Sequence, residues 1–151
     1  MNHPNEKVMR ELIEYTAKKA GKQSQATGCF ILKGNKIVSK AISSTQKSQD
    51  TTAHAEINAM RKLSKSRKNN SLKGYWVYST QKPCPMCASA IVWSEADGVV
   101  YGWEGKKGWV DVYFKSLNLS NVVINSSRLK KVKMIGPFLE SECLKIKGYK
   151  K

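Results

Sequence analysis

The chain has 151 residues, 40% hydrophobic and 25% charged, enough to bury a core and too mixed to be disordered throughout. No apolar run reaches the length of a membrane span, and the charged start MNHPNEKVMRELIEY lacks the apolar centre of a secretory signal, so we expect a single cytoplasmic domain over residues 1–151. Twenty-seven basic residues against eleven acidic ones leave +16, a field that attracts RNA, DNA or phosphorylated small molecules, unless the lysines serve only as surface solubility groups.

Residues 5–20 place Val8, Met9, Leu12, Ile13, Thr16, Ala17 and Ala20 at helical spacing, and Gly21 suits the helix end. CFILKGNKIVSKAI reads as two strands around a Gly34-Asn35 turn. SSTQKSQDTT reads as a polar loop, and a helix follows from about His54 to Lys65. KSRKNNSLKG is a loop, and YWVYST, residues 75–80, is a strand rich in aromatic and β-branched residues. PCPMCASAIVWSEAD is a helix opened by proline, and GVVYG a short strand. Residues 111–118 read as a short helix, KKVKMIG as a strand, and a final helix is expected to start near Pro137. This alternation predicts a layered α/β domain with helices on both faces of one sheet.

Only two histidines occur. His3 lies in a stretch expected to be frayed. His54 opens a helix, with Glu56 two residues on. Of the four cysteines, Cys29 and Cys143 read as small buried residues on a strand and a helix face. Cys84 and Cys87 differ. Their i, i+3 spacing projects both from one side of a helix's first turn, with Pro83 and Pro85 fitting the helix start. The positive end of the helix favours thiolate. If the two helix starts face each other, His54, Cys84 and Cys87 supply three ligands of the kind zinc accepts and leave its fourth position open, as in catalytic sites. Glu56, beside that open position without being a ligand, can then take and return protons. A lone Cys-x-x-Cys could instead be a redox pair, but that needs no His-x-Glu upstream.

TAHAEINAM and PCPMCASAIVWS together resemble the cytidine deaminase superfamily of zinc-dependent deaminases, whose signature is His-x-Glu followed by Pro-Cys-x-x-Cys. Within it they are similar to the branch with guanine deaminase, yeast-type cytosine deaminase and bacterial tRNA adenosine deaminase. The resemblance runs from the first helix to about residue 118. It implies a three-layer α/β/α fold with a mixed five-stranded sheet, a homodimer or larger assembly, zinc held by His54, Cys84 and Cys87, and Glu56 as the proton shuttle. It also implies hydrolytic deamination of an amino-bearing nucleobase or nucleoside to the oxo form plus ammonia.

Trp93 and the stretch GWVDVYF resemble guanine deaminases, which makes Trp93 a substrate-binding candidate and Asp111 a second catalytic carboxylate. The alternatives are a core aromatic on an amphipathic helix for Trp93, and a helix cap or surface acid for Asp111. Two positions depart from the branch. Ser43 stands where an asparagine normally bonds the base, and its hydroxyl keeps a shorter reach. Lys82 replaces the usual glutamate before Pro-Cys-x-x-Cys. The favoured substrate is a free guanine-like purine base or nucleoside. The alternatives are tRNA adenosine, drawn by the positive charge and stacked on Trp109, Tyr113 or Phe114, and a non-catalytic zinc-binding subunit.

Overall fold

The computed structural model describes residues 2–105, 118–128 and 131–150. Its strands carry apolar residues on both faces, as strands covered on both sides must. Strands β1 (Gly28–Lys33) and β2 (Lys36–Ile42) form the expected antiparallel hairpin, and Gly34 supplies the positive φ, +54°, at the turn. Strand β1 also pairs antiparallel with β3 (Tyr75–Gln81). Strand β4 (Gly98–Trp103) and the short β5 (Lys133–Ile135) continue the sheet in parallel, giving a mixed five-stranded sheet in the order β2-β1-β3-β4-β5.

Alternation along these strands divides the core. Ile31, Val77 and Val99 face helices α3 (Ala55–Arg67), α4 (Pro85–Trp93) and α5 (Leu119–Asn125), meeting Ala55, Ala59, Leu63, Ala88, Ile91 and Ile124. Phe30, Leu32, Tyr78 and Val100 face α1 (Glu6–Ala20) and the single-turn α6 (Glu140–Cys143), meeting Met9, Leu12 and Cys143. Helix α6 lies so close to β4 that a Cβ on Gly102 would stand 2.2 Å from Cys143 Sγ. The layered α/β architecture is therefore the one the alternation of elements predicts, and Cys29 and Cys143 are buried as expected.

Three expectations need correction. The polar stretch before His54 contains a short helix, α2 (Thr45–Ser48), which Gln49 closes in a left-handed conformation. The last helix starts three residues after Pro137, close to the expected point, but it is short. It begins after Leu139, itself left-handed, and makes only one turn. Helix α5 had no counterpart in the sequence reading. His3 is not frayed. Its ring stacks on Trp76 with centroids 4.2 Å apart, and its Nδ1 lies 2.7 Å from the Tyr78 hydroxyl. Of the short helix expected at residues 111–118, all but the last residue lies outside the described residues. No helix among the described residues is long and apolar enough to cross a membrane.

Candidate metal centre and its cavity

Two helix starts meet at one end of the sheet, where β3 and β4 finish. His54 is the N-cap of α3, with its backbone still extended at φ −69°, ψ 158°. The preceding segment is pinned to that helix. Asn58 Nδ2 donates to the Ile42 carbonyl at 2.9 Å, the Ser44 amide donates to the Ala53 carbonyl, and Arg61 pairs with Asp50. Cys84 is the N-cap of α4, its sulfur accepting from the Cys87 amide, and Pro85 occupies the first turn, where a missing N–H costs nothing.

The caps face each other. Cys84 Sγ and Cys87 Sγ lie 3.5 and 3.6 Å from the same atom, His54 Nδ1. The three ligand atoms all fall within 4.8 Å of one another. The proton distribution suits a cation. The Cys87 hydrogen bond, then that of His54, pushes the Cys84 thiol down to about 4, and the shared bond with Cys84 raises His54. Cys87, as the donor in that bond and buried, moves the other way. One imidazole and two sulfurs are the donor set of a zinc site with an open fourth position, so these residues fit that metal.

Glu56 is 3% exposed and sits in the first turn of α3. Burial is the main cause that raises its carboxyl above the ordinary range, and the negative Cys84 adds to it. Its Oε1 accepts a 2.8 Å bond from Ser79 Oγ. Ser79 holds the carboxylate in place, a role the sequence reading missed. The signal was present, because alternation in β3 puts Ser79 on the same face as Val77, toward α3.

A cavity of about 790 Å³ opens onto this centre, and its wall includes His54, Glu56, Cys84, Ser43, Gln81 and Lys82. The α1–β1 loop adds Lys22, Gln23, Ser24 and Gln25, and α2 adds Lys47. Thus the fold brings His54, Cys84, Cys87, Glu56 and Ser43 together. Trp93 is not part of this wall. It stands at the end of α4, 87% exposed, so neither the cavity nor the core holds it. Asp111, Trp109, Tyr113 and Phe114 lie outside the described residues. Lys82 is buried, its ammonium 2.5 Å from the Glu104 carboxylate, whose other oxygen accepts from the Tyr101 hydroxyl. Several basic residues between positions 61 and 82 are also engaged within the molecule. Arg67 donates to the Ser71 carbonyl and lies over the Tyr75 ring, and Lys73 pairs with Glu95.

The model of the cytidine and deoxycytidylate deaminase zinc-binding region matches residues 2–103. The tRNA-specific adenosine deaminase of Bacillus subtilis (strain 168) is 29% identical over 139 residues, 92% of this chain and 83% of that protein. The guanine deaminase of the same organism is 36% identical over 77 residues, 51% of this chain and 49% of that protein. A solved structure from a study of A-to-I editing by tRNA:A34 deaminases superposes with a TM-score of 0.64 at 24% identity, covering 85% of this chain and 97% of that one.

Proposed function

Because the chain belongs to the family of the cytidine and deoxycytidylate deaminase zinc-binding region, we propose that it hydrolytically deaminates an adenine base presented in RNA, releasing ammonia and leaving the oxo base. The observation that carries the RNA reading is the cavity wall. It is wide, its described lining is made of polar side chains, and it bears Lys22 and Lys47 at exposed positions. A free base is ordinarily enclosed by apolar and aromatic walls. A base carried on a phosphate chain needs room and cations at the mouth instead. The length over which the chain matches a tRNA-specific adenosine deaminase points the same way.

A bound zinc supplies Lewis acidity and makes water easy to ionise at neutral pH. The chain's own residues do the rest. His54, Cys84 and Cys87 would hold the metal. Glu56, oriented by Ser79, takes a proton from water as its oxygen bonds to the amino-bearing ring carbon. Glu56 gives that proton to the adjacent ring nitrogen, then takes the remaining hydroxyl proton and passes it to the amine. The carbon–nitrogen bond breaks, ammonia leaves, and the ring keeps the oxygen. The retained Glu56 argues against a purely structural zinc subunit.

A second reading, free guanine, is favoured by the 36% identity to a guanine deaminase. The test is to assay ammonia release from an anticodon stem-loop RNA and from guanine between 50 and 200 mM salt. RNA turnover should fall steeply, and a Lys22→Ala, Lys47→Ala variant should flatten the log–log slope by about two, roughly one per lost phosphate contact. Turnover of guanine alone, indifferent to salt, would refute the RNA reading.

The same reading includes a homodimer, supported by α4. Cys87, Ala88 and Ile91 face the core, yet the half-buried Met86 and Ala90 and the exposed Trp93 lie at helical spacing on another side of the helix, and Val122 of α5 is exposed as well. A helix apolar around its whole circumference belongs in an interior. A second copy of the chain covers this side. Trp93→Glu should convert a dimer to a monomer at micromolar concentration in sedimentation velocity. A monomeric parent protein, or a variant still dimeric, would contradict the assignment.

A further inference from the structure

Ser43 Oγ accepts two hydrogen bonds at the cavity wall, from the Thr27 amide at 3.1 Å and from Gln23 Nε2 at 3.2 Å. A hydroxyl has two acceptor positions and one hydrogen to donate. Both acceptor positions are filled, so only the hydrogen remains, and none of the described residues accepts it. The orientation of the Gln23 amide is fixed by a second partner. Nε2 also points to the Ser43 carbonyl oxygen at 3.5 Å, a group that can only accept.

The loop that carries Gln23 is itself held. The Gln23 amide donates to the Ala20 carbonyl at 2.9 Å, and the Gln25 amide to the Lys147 carbonyl at 2.7 Å. Gln25 takes a positive φ of 57°, and the turn at Gly148 abuts Ser24 so closely that a Cβ there would stand 2.4 Å from Ser24 Oγ.

We propose that Gln23 is a specificity-determining residue. By filling the second acceptor position of Ser43 it makes that hydroxyl an obligate donor, so the cavity selects an aminated base that turns an unprotonated ring nitrogen to this wall. A base that turns an N–H there meets the Ser43 hydrogen and is rejected. The inference rests on the deaminase reading of the same cavity. With leucine at position 23 the hydroxyl is free to rotate and accept, and the selection relaxes.

The experiment uses zinc-loaded protein carrying Glu56→Gln to stop turnover. Adenosine, guanine and their deaza analogues, each with one acceptor ring nitrogen replaced by C–H, are titrated calorimetrically. With Gln23 present, one analogue should bind about ten-fold more weakly than its parent base. Adding Ser43→Ala should erase that difference, and adding Gln23→Leu should shrink it to about two-fold. A residue that merely supports the loop would lower affinity for base and analogue alike and leave their ratio unchanged. An unchanged ratio in Gln23→Leu, or no analogue with a Ser43-dependent loss, overturns the proposal. The RNA reading falls separately, on absence of ammonia release from RNA by the unmodified protein, a result that leaves the binding ratios standing.

Discussion

Replacing Glu56 by glutamine should lower turnover about 1,000-fold, within the range contributed by a positioned acid–base group, while zinc content stays at one per chain. The amide matches the carboxylate in shape, and its oxygen can still accept the 2.8 Å bond from Ser79. None of the three ligand atoms changes. Stability should hold or rise slightly, because a buried carboxylate is costly and a neutral amide less so. Metal analysis, thermal melting and ammonia release on one preparation read all three. Turnover near that of the parent would show that another group moves the proton. Loss of zinc together with turnover would show that Glu56 acts through the metal site's integrity.

Changing Cys84 and Cys87 together to alanine should cut zinc content at least ten-fold and destabilise the fold by several kcal/mol. Two effects add. The cap on α4 is lost, because the Cys84 sulfur accepts from the Cys87 amide, which costs about 1 kcal/mol. The larger effect is linkage, since a metal at 1,000 times its dissociation constant contributes about 4 kcal/mol to the folded state. A chelator should therefore lower the melting temperature of the parent protein sharply and leave that of the variant unmoved. Full zinc in the variant would place the metal elsewhere.

The metal ligands were legible because they are rare residue types at local spacings. His54 is one of two histidines, and Cys84 and Cys87 sit one helical turn apart. The paired start signals, an imidazole before α3 and a proline-flanked sulfur before α4, then only had to face each other. Helix α1 and the β1–β2 hairpin were legible from period and turn chemistry. Helix α5 was not, because LSNVVIN is rich in β-branched residues and favours strand by propensity. Its helix is held by packing of Ile124 in the core instead. The single-turn helices α2 and α6 are too short to show a period. Trp93 is not the core aromatic that one sequence reading allowed, since nothing local distinguishes an aromatic that faces outward on an otherwise buried helix. The contact of Gln23 with Ser43 joins residues twenty apart through a loop without periodicity, so only the closed fold reveals it.

The Lys82–Glu104 pair constrains which substitutions positions 82 and 104 can accept. Lys82 is 9% exposed and Glu104 supplies its countercharge, so neither sign can be inverted alone. Glutamate at position 82 would set two carboxylates against each other, and lysine at 104 two ammonium groups. Either intermediate leaves the buried charge at position 82 without its partner, at a cost of about 1–3 kcal/mol, reduced from that of a fully buried pair because position 104 is 34% exposed. The inheritable unit is thus the pair. A lineage crosses between the two charge arrangements through a neutral residue at one position or by near-simultaneous change at both, and drift at residue 82 is tied to residue 104, twenty-two positions away.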